Sequence, residues 1–222
     1  ARALYEMHHH EGPIVLALSG GIDSQAMLFS FVEAGVPFEV AIMRFDNCLN
    51  EHDIGHCLDL LLSLGIKYRF YDLDIFNFFE SGSYIDYALA GQTNSPQFAA
   101  HIWLAEQIQG IPVFSGEPWH RVYKHEAELK NIRDLPFYMP RYKEYGTEIA
   151  LSKKNRTCVS HFFEFSMQWL QKVVQDKEIY RYCQLNDPEG SYRAKYLFYR
   201  KIGFPVSLTS GGAKLTGFER VY

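Results

Sequence analysis

The segment Ser-Gly-Gly-Ile-Asp-Ser at residues 19–24 is the strongest candidate for chemistry in this 222-residue chain. Two adjacent glycines allow a tight turn and a close approach of the backbone to a ligand. A helix that begins directly after such a turn presents unpaired N–H groups and the positive end of its dipole, which together favour a phosphate group. Ser19 and Ser24 add hydroxyl donors. Asp23 would repel a bare phosphate, so its carboxylate is expected to bind magnesium or to cap the helix.

The residues around this segment predict the elements that would position it. An apolar run at 14–18 predicts a buried strand, and residues 23–32 carry apolar side chains at helical spacing. Further strands are predicted at 37–45, 68–73 and 111–114, and further helices at 52–64 and 95–109, with a looser stretch at 77–94. Four strands that alternate with three helices favour an α/β fold with a doubly wound parallel sheet.

The strand signal ends after His120, and the remaining residues predict mainly helices. These are expected at 123–130, 160–182 and 192–202, followed by a glycine-rich loop at 209–217. The chain therefore divides into an N-terminal tail (1–12), an α/β core (13–120) and a mostly helical region rich in basic and aromatic residues (121–222).

The loop at 19–24 differs from the two commonest phosphate-binding motifs. It lacks the Gly-Lys-Ser or Gly-Lys-Thr of a Walker A loop, and it is not the dinucleotide fingerprint. Ser-Gly-Gly-Xaa-Asp-Ser after a buried strand resembles the PP-loop of the ATP pyrophosphatases, the adenine nucleotide alpha hydrolase-like superfamily. The resemblance implies a Rossmann-like sheet of the HUP type, with ATP and Mg²⁺ as cofactors. It also implies cleavage of ATP between the α and β phosphates, which leaves an adenylate on the acceptor until a nucleophile displaces AMP.

The same resemblance implies roles for individual residues. The pyrophosphate site would comprise Ser19, Gly20, Gly21, Asp23 and Ser24. Asp23 would also lie near magnesium. The family binds adenine through backbone groups near the ends of the first two strands, which correspond here to Leu18 and Met43.

A second short motif follows the fourth predicted strand. Ser115-Gly116-Glu117 is similar to the start of the Ser-Gly-Glu-Gly-Xaa-Asp-Glu segment in the synthetase domain of asparagine synthetase. Ligands of parallel sheets bind at the carboxyl ends of the strands, so Glu117 is expected to face the same crevice as the loop. The resemblance implies that Glu117 helps to hold magnesium and substrate. Pro118-Trp119-His120 replaces the rest of that motif, so one of its carboxylates is missing.

Charge is distributed unevenly along the chain. Residues 1–120 contain 4 Lys and Arg and 15 Asp and Glu, for a net charge of −11, whereas residues 121–222 have a net charge of +7. The basic part either meets an anionic partner or attracts the acidic part across an internal interface. A magnesium nucleotide on the acidic core would need cations from the basic part, for which Lys195, Arg200, Lys201 and Lys214 are candidates. Of these, Lys195 and Lys201 are predicted to be catalytic.

Aromatic and basic residues interleave between Tyr180 and Lys201. This pattern is typical of surfaces that stack bases and hold a nucleic-acid backbone, which makes RNA a possible partner. It is equally typical of helices that pack their aromatic residues inward and keep their cations in water. The sequence leaves both interpretations open.

Composition excludes several classes of protein. Hydrophobic residues make up 47% and charged residues 22% of the chain, which is ordinary for a globular domain and excludes extended disorder. No apolar run reaches the roughly 18 residues that a membrane span needs, so no membrane partner is expected. Four cysteines without a CxxC pair, and no signal-peptide pattern, predict a cytoplasmic protein.

These features together predict an ATP-dependent adenylating enzyme of the asparagine-synthetase-like type, which activates an acceptor for attack by a nitrogen or sulfur nucleophile. Asparagine synthetase also has an N-terminal glutaminase domain that begins with a cysteine, and no cysteine precedes the first strand here. The resemblance therefore implies that the nucleophile is free in solution or supplied by a separate donor protein. Two alternatives are a PP-loop enzyme that modifies tRNA or a nucleobase, and a nucleotide-binding protein that performs no catalysis.

Overall fold

The computed structural model describes residues 1–116, 145–165, 171–172, 175–176, 190–208 and 217–218. These ranges contain four strands: β1 (Ile14–Leu18), β2 (Glu39–Phe45), β3 (Arg69–Leu73) and β4 (Ile111–Val113). The described helices are α1 (Arg2–His8), α2 (Ile22–Ala34), α3 (Glu51–Ser63), α4 (Ile75–Glu80), α5 (Ser83–Ala90), α6 (Pro96–Gln107), α7 (Gly146–Ser152) and α8 (Gly190–Lys201). None of the helices in these ranges is long and apolar enough to cross a membrane.

The strands form one parallel sheet in the order β3-β2-β1-β4. All five residues of β1 are buried, as expected for a central strand covered on both faces. Leu16 in its middle lies opposite Val40 of β2 and Val113 of β4. The chain moves outward from β1 to β3 and then returns to the other side of β1 for β4, so the order reverses between β1 and β4. The predicted α/β parallel sheet is confirmed, and its order is compatible with a Rossmann-like fold.

The prediction for the segment between β3 and α6 was wrong. The stretch at 77–94 was expected to be irregular, but α4 and α5 occupy most of it. The Asp74 side chain caps α4 by accepting a hydrogen bond from the Asn77 N–H at 2.9 Å. Both helices are shorter than the 11 residues over which apolar periodicity is measured, which explains why the pattern did not reveal them.

Two other segments, near residues 1–12 and 159–165, also depart from the sequence predictions. Within the predicted tail, α1 places Leu4 in the core with no exposed surface. The predicted helix at 160–182 does not begin as an α-helix, because Val159 pairs with Val113 and Phe162–Phe165 is a 3₁₀ turn. Val159 donates to the Pro112 carbonyl and accepts from the Phe114 N–H, so this segment extends the edge of the sheet beside β4. The predicted helix at 123–130 lies outside the described residues. So do most of residues 166–182 and of the predicted loop at 209–217.

Arg156 closes the carboxyl end of α6. Its guanidinium donates to the backbone carbonyls of Glu106, Ala105 and Ile108. We expect Arg156→Ala to lower the free energy of unfolding by about 2 kcal/mol, because a cation that bonds several terminal carbonyls also meets the negative end of the helix dipole. Urea denaturation would measure the change. The control is Lys154→Ala, whose side chain is 52% exposed and pairs with Glu106 at 2.7 Å, so its loss should cost about 1 kcal/mol or less. Equal losses in the two variants would contradict the prediction.

Candidate functional site

A pocket of about 300 Å³ opens at the carboxyl ends of β1, β2 and β4. It lies where the strand order reverses, the usual ligand position in open parallel sheets. Six of the residues predicted from the sequence line it: Leu18, Ser19, Gly21, Asp23, Ser24 and Met43. The structure therefore brings the loop after β1 and the end of β2 to one cavity.

Gly20 does not line the pocket but fixes the position of the loop. A Cβ atom on this residue would lie 1.8 Å from the backbone oxygen of Asp53, in the first turn of α3. The φ angle of Gly20 is outside the left-handed region, so the requirement for glycine here is steric rather than conformational. The absence of a side chain lets the loop lie directly against α3, which was not the reason expected from the sequence.

The first turn of α2 supplies the anion-binding groups. Gly21 is the N-cap residue of this 13-residue helix, and no side chain among the described residues caps it. The first N–H groups of a helix have no intrahelical partner, so they are directed toward the pocket end of α2. The Ser19 and Ser24 hydroxyls are 3.1 Å apart, and Ser19 Oγ also accepts from the Gly21 N–H at 3.4 Å. This arrangement can bind a phosphate group.

Asp23 connects the loop to α8. Lys195 Nζ lies 2.9 Å from Asp23 Oδ2, and the Tyr199 hydroxyl donates to Asp23 Oδ1 at 2.6 Å. The Lys195 and Asp23 side chains are only 8% and 19% exposed. The structure thus places Lys195, one of the two predicted catalytic lysines, beside a loop 172 residues away.

Gln25 forms a second connection between α2 and the chain that follows α8. Its Nε2 donates to the Gly20 carbonyl at 2.9 Å and to the Ser207 carbonyl at 3.1 Å. Its Oε1 accepts from the Ser207 N–H at 2.9 Å. Phe204 stacks on Phe29 nearby, with ring centroids 6.2 Å apart. These contacts hold the end of α8 and the segment after it against the loop.

Asn50 occupies the backbone edge at the end of β2. Its Nδ2 donates to the Met43 carbonyl at 3.0 Å, and its Oδ1 accepts from the Phe45 N–H at 2.8 Å. The backbone of Met43 was expected to contact adenine, and its carbonyl already accepts this hydrogen bond. A carbonyl oxygen has two lone pairs, so one remains for a ligand.

Among the predicted catalytic residues that the structure describes, Asp23 alone lines the pocket; Lys195 reaches the loop through Asp23, and Lys201 reaches neither. Lys201 is not a lining residue: its ammonium pairs with Asp176 at 2.7 Å and its side chain is 55% exposed. Lys201 lies six positions after Lys195, which places the two side chains about 120° apart around the axis of α8. Glu117, predicted as a catalytic and magnesium-binding residue, lies outside the described residues. In the ranges that the structure describes, no group of three His, Cys, Asp or Glu side chains is placed to hold a metal ion.

The β4 side of the pocket contains polar residues that sequence reasoning missed. Thr147, Ser160 and His161 line it, together with His101 on α6. Ser160 is hydrogen-bonded to Glu148 of α7: Glu148 Oε1 accepts from the Ser160 N–H at 2.7 Å and from its hydroxyl at 2.9 Å. The polar lining residues on this side were missed because each is a single polar residue in a segment without a motif. The sequence signal for Ser160 and His161 was only that they follow the apolar Val159.

The described cysteines differ in accessibility, which gives a test of the fold. Cys48 is exposed, whereas Cys57 is buried. Burial, reinforced by the nearby Asp53 carboxylate, raises the pKa of the Cys57 thiol to about 12. At pH 8 only about one Cys57 thiol in ten thousand is ionised, so iodoacetamide should modify Cys48 at least about 100-fold faster. Mass spectrometry of alkylated peptides would measure both rates, and rapid labelling of Cys57 in folded protein would contradict the structure. Because the pKa of Cys57 is raised on folding, its contribution to stability is complete below about pH 9 and is lost as the pH rises toward 12.

The sequence matches no protein-family model, and no curated protein matches it. What the pocket binds is therefore inferred from its own residues and from the short motif at 19–24.

Proposed function

We infer that this protein is a cytoplasmic, ATP-dependent adenylating enzyme with a HUP-type fold and a PP-loop at residues 19–24. The observation that carries the proposal is that this loop, which precedes α2, lines a pocket where the strand order reverses. Lys195 pairs with Asp23 of the loop. In the proposed reaction ATP is cleaved between its α and β phosphates. The acceptor receives AMP, and a nitrogen or sulfur nucleophile then displaces it.

The loop has the groups needed to hold the leaving pyrophosphate. The N–H groups at the start of α2 and the Ser19 and Ser24 hydroxyls are hydrogen-bond donors at one end of the pocket. Lys195 supplies a positive charge that is largely removed from water, so its interaction with developing negative charge is strengthened. Phosphoryl transfer depends mainly on positioning and on such charge stabilisation.

The donor set of the pocket also fits magnesium. Mg²⁺ prefers oxygen ligands and is usually held by one or two carboxylates together with substrate phosphates. Asp23 lines the pocket, and each of its oxygens retains lone pairs after accepting one hydrogen bond. Asp23, with Glu117, would hold the ion, which would neutralise negative charge on the phosphates.

Isothermal titration calorimetry with Mg·ATP tests the binding step. The wild type is expected to bind, and the Asp23→Ala/Ser24→Ala double variant is expected to lose at least about 100-fold in affinity because it lacks a hydroxyl donor and the carboxylate. Lys201→Met is the control, since Lys201 pairs with Asp176 outside the pocket. Wild-type protein that does not bind Mg·ATP would contradict the proposal.

Release of AMP tests the chemistry. Mg·[α-³²P]ATP would be mixed with pools of carboxylic acids, amides and nucleosides, each with ammonium chloride or a thiol. Formation of radioactive AMP that depends on one pool would identify the acceptor class. A further pool would contain tRNA. If the protein binds ATP but forms no AMP with any pool, tRNA included, the alternative of a nucleotide-binding protein without catalysis is favoured.

The aromatic residues of α8 bear on the alternative of an RNA-modifying enzyme. Phe198 is 3% exposed and Tyr199 is fully buried, and Tyr192 and Tyr196 pack against the same core. Arg193 and Arg200 on the same helix are exposed. These contacts favour the interpretation in which aromatic residues pack inward and cations remain in water, so α8 is not proposed as a base-stacking surface.

A further inference from the structure

The pocket has a second side, away from the PP-loop. Val159 extends the sheet beyond β4, so it lies two strand spacings, about 10 Å, from β1. Ser160 and His161 follow immediately, at the same edge of the sheet as Ser19. A nucleotide on the loop would therefore leave this side for a second reactant.

A hydrogen-bonded chain fixes the proton positions of His161. Ser160 Oγ donates to Glu148 Oε1 at 2.9 Å, because a carboxylate can only accept. The hydroxyl has a single proton, so at its 3.0 Å contact with His161 Nδ1 the ring nitrogen must donate. Neutral His161 is then protonated on Nδ1, and its Nε2 carries the lone pair. The direction of this chain also excludes Ser160 as a nucleophile activated by His161.

Two neighbours hold the imidazole ring in place. Tyr145 stacks on it with centroids 4.5 Å apart. Gly116, just after β4, lies so close that a Cβ atom would be 2.7 Å from His161 Cδ2. His161 is only 3% exposed, yet it and Gly116 both line the pocket. A buried ring with a fixed tautomer in a reactant-sized cavity is suited to proton transfer.

We propose that the acceptor and a nitrogen nucleophile bind on the β4 side, and that His161 Nε2 takes the proton that the nucleophile loses. This proposal rests on the proposed function. Ammonia or a primary amine attacks the adenylated carbon of the acceptor, and the new C–N bond forms with the nitrogen lone pair. The C–O bond to AMP breaks, AMP leaves with that electron pair, and one N–H proton passes to Nε2. Glu148 and Ser160 are positioning residues: they keep the proton of neutral His161 on Nδ1 and so leave the lone pair on Nε2.

The tautomer and the accessibility of Nε2 can be tested before the acceptor is known. In ¹⁵N-histidine-labelled wild type, NMR should show neutral His161 protonated on Nδ1, and Ser160→Ala should lose this preference. Diethyl pyrocarbonate, which acylates unprotonated imidazole nitrogen, should modify His161 in folded protein. Neutral His161 protonated on Nε2, or a ring that resists acylation while the exposed His10 reacts, would overturn the proposal.

The catalytic role is tested by replacing His161 with asparagine, whose amide can still donate to Ser160 but which has no counterpart of Nε2. AMP release, with the pool that supports it, should fall by about 10²–10⁴-fold. The Kd for Mg·ATP should stay within about twofold, since the loop is unchanged. His56→Asn, outside the pocket, is the control. Unchanged AMP release in His161→Asn would overturn the inference alone, whereas absence of Mg·ATP binding by wild type would overturn the proposed function.

Discussion

Replacing Lys195 with methionine should reduce AMP formation by at least about 100-fold and lower the free energy of unfolding by about 2–3 kcal/mol. The two losses have different causes. The catalytic loss follows from removing a desolvated cation beside the PP-loop, where negative charge develops on the phosphates. The stability loss follows because the Asp23 carboxylate, only 19% exposed, would lose the ammonium that lies 2.9 Å away. Stopped assays of radioactive AMP and urea denaturation would measure them separately.

A double variant distinguishes these causes. Asp23→Asn removes the carboxylate charge but retains an oxygen that can accept the Tyr199 hydroxyl. Adding it to Lys195→Met should therefore restore at least about half of the lost stability without restoring AMP formation. Lys201→Met is the matched control for AMP formation, because Lys201 pairs with Asp176 and does not line the pocket, so its loss should leave AMP formation unchanged. If Lys195→Met also left AMP formation unchanged, the role given to Lys195 would be wrong.

The central part of the fold could be predicted because its signals are contiguous. The apolar run of β1 and the glycines after it specify a buried strand and a turn from neighbouring residues alone. The strand predictions matched the structure to within two residues at every boundary. Parallel pairing followed from the alternation of strands and helices, and it put the end of β2 next to the loop.

The parts of the site that could not be predicted depend on contacts between residues far apart in the chain. Nothing local to Lys195 or Asp23 indicates that they pair, and α8 has a second lysine that points elsewhere. Asn50 was missed because its side chain bonds the end of β2 five and seven residues back, outside any helix or strand pattern. Chemistry-bearing residue types can be found in a sequence, but which of them meet depends on packing that periodicity does not encode.

Gly20→Ala should have the largest effect on stability of any single substitution in the loop. The added methyl group would lie 1.8 Å from the Asp53 backbone oxygen, well inside contact distance, and neither the loop nor the first turn of α3 can yield at low cost. We expect the free energy of unfolding to fall by about 3 kcal/mol or more, since overpacking against backbone forces main-chain movement. Because the movement displaces the start of α2, Mg·ATP affinity should fall at least about 100-fold in protein that remains folded. Urea denaturation and calorimetry at 10 °C would measure both quantities.

Gly55 provides the matched control, since it lies in α3 two residues from Asp53. A Cβ atom there meets no other atom within 4 Å. Gly55→Ala should therefore raise the free energy of unfolding by about 0.5–1 kcal/mol, through the higher helix propensity of alanine, and leave Mg·ATP binding unchanged. The same methyl group would thus have opposite effects at two neighbouring sites, because at one it meets the PP-loop packed on α3 and at the other it meets open space. A Gly20→Ala protein as stable as wild type would show that the loop does not pack against α3 in this way, and the position inferred for the phosphate site would fail with it.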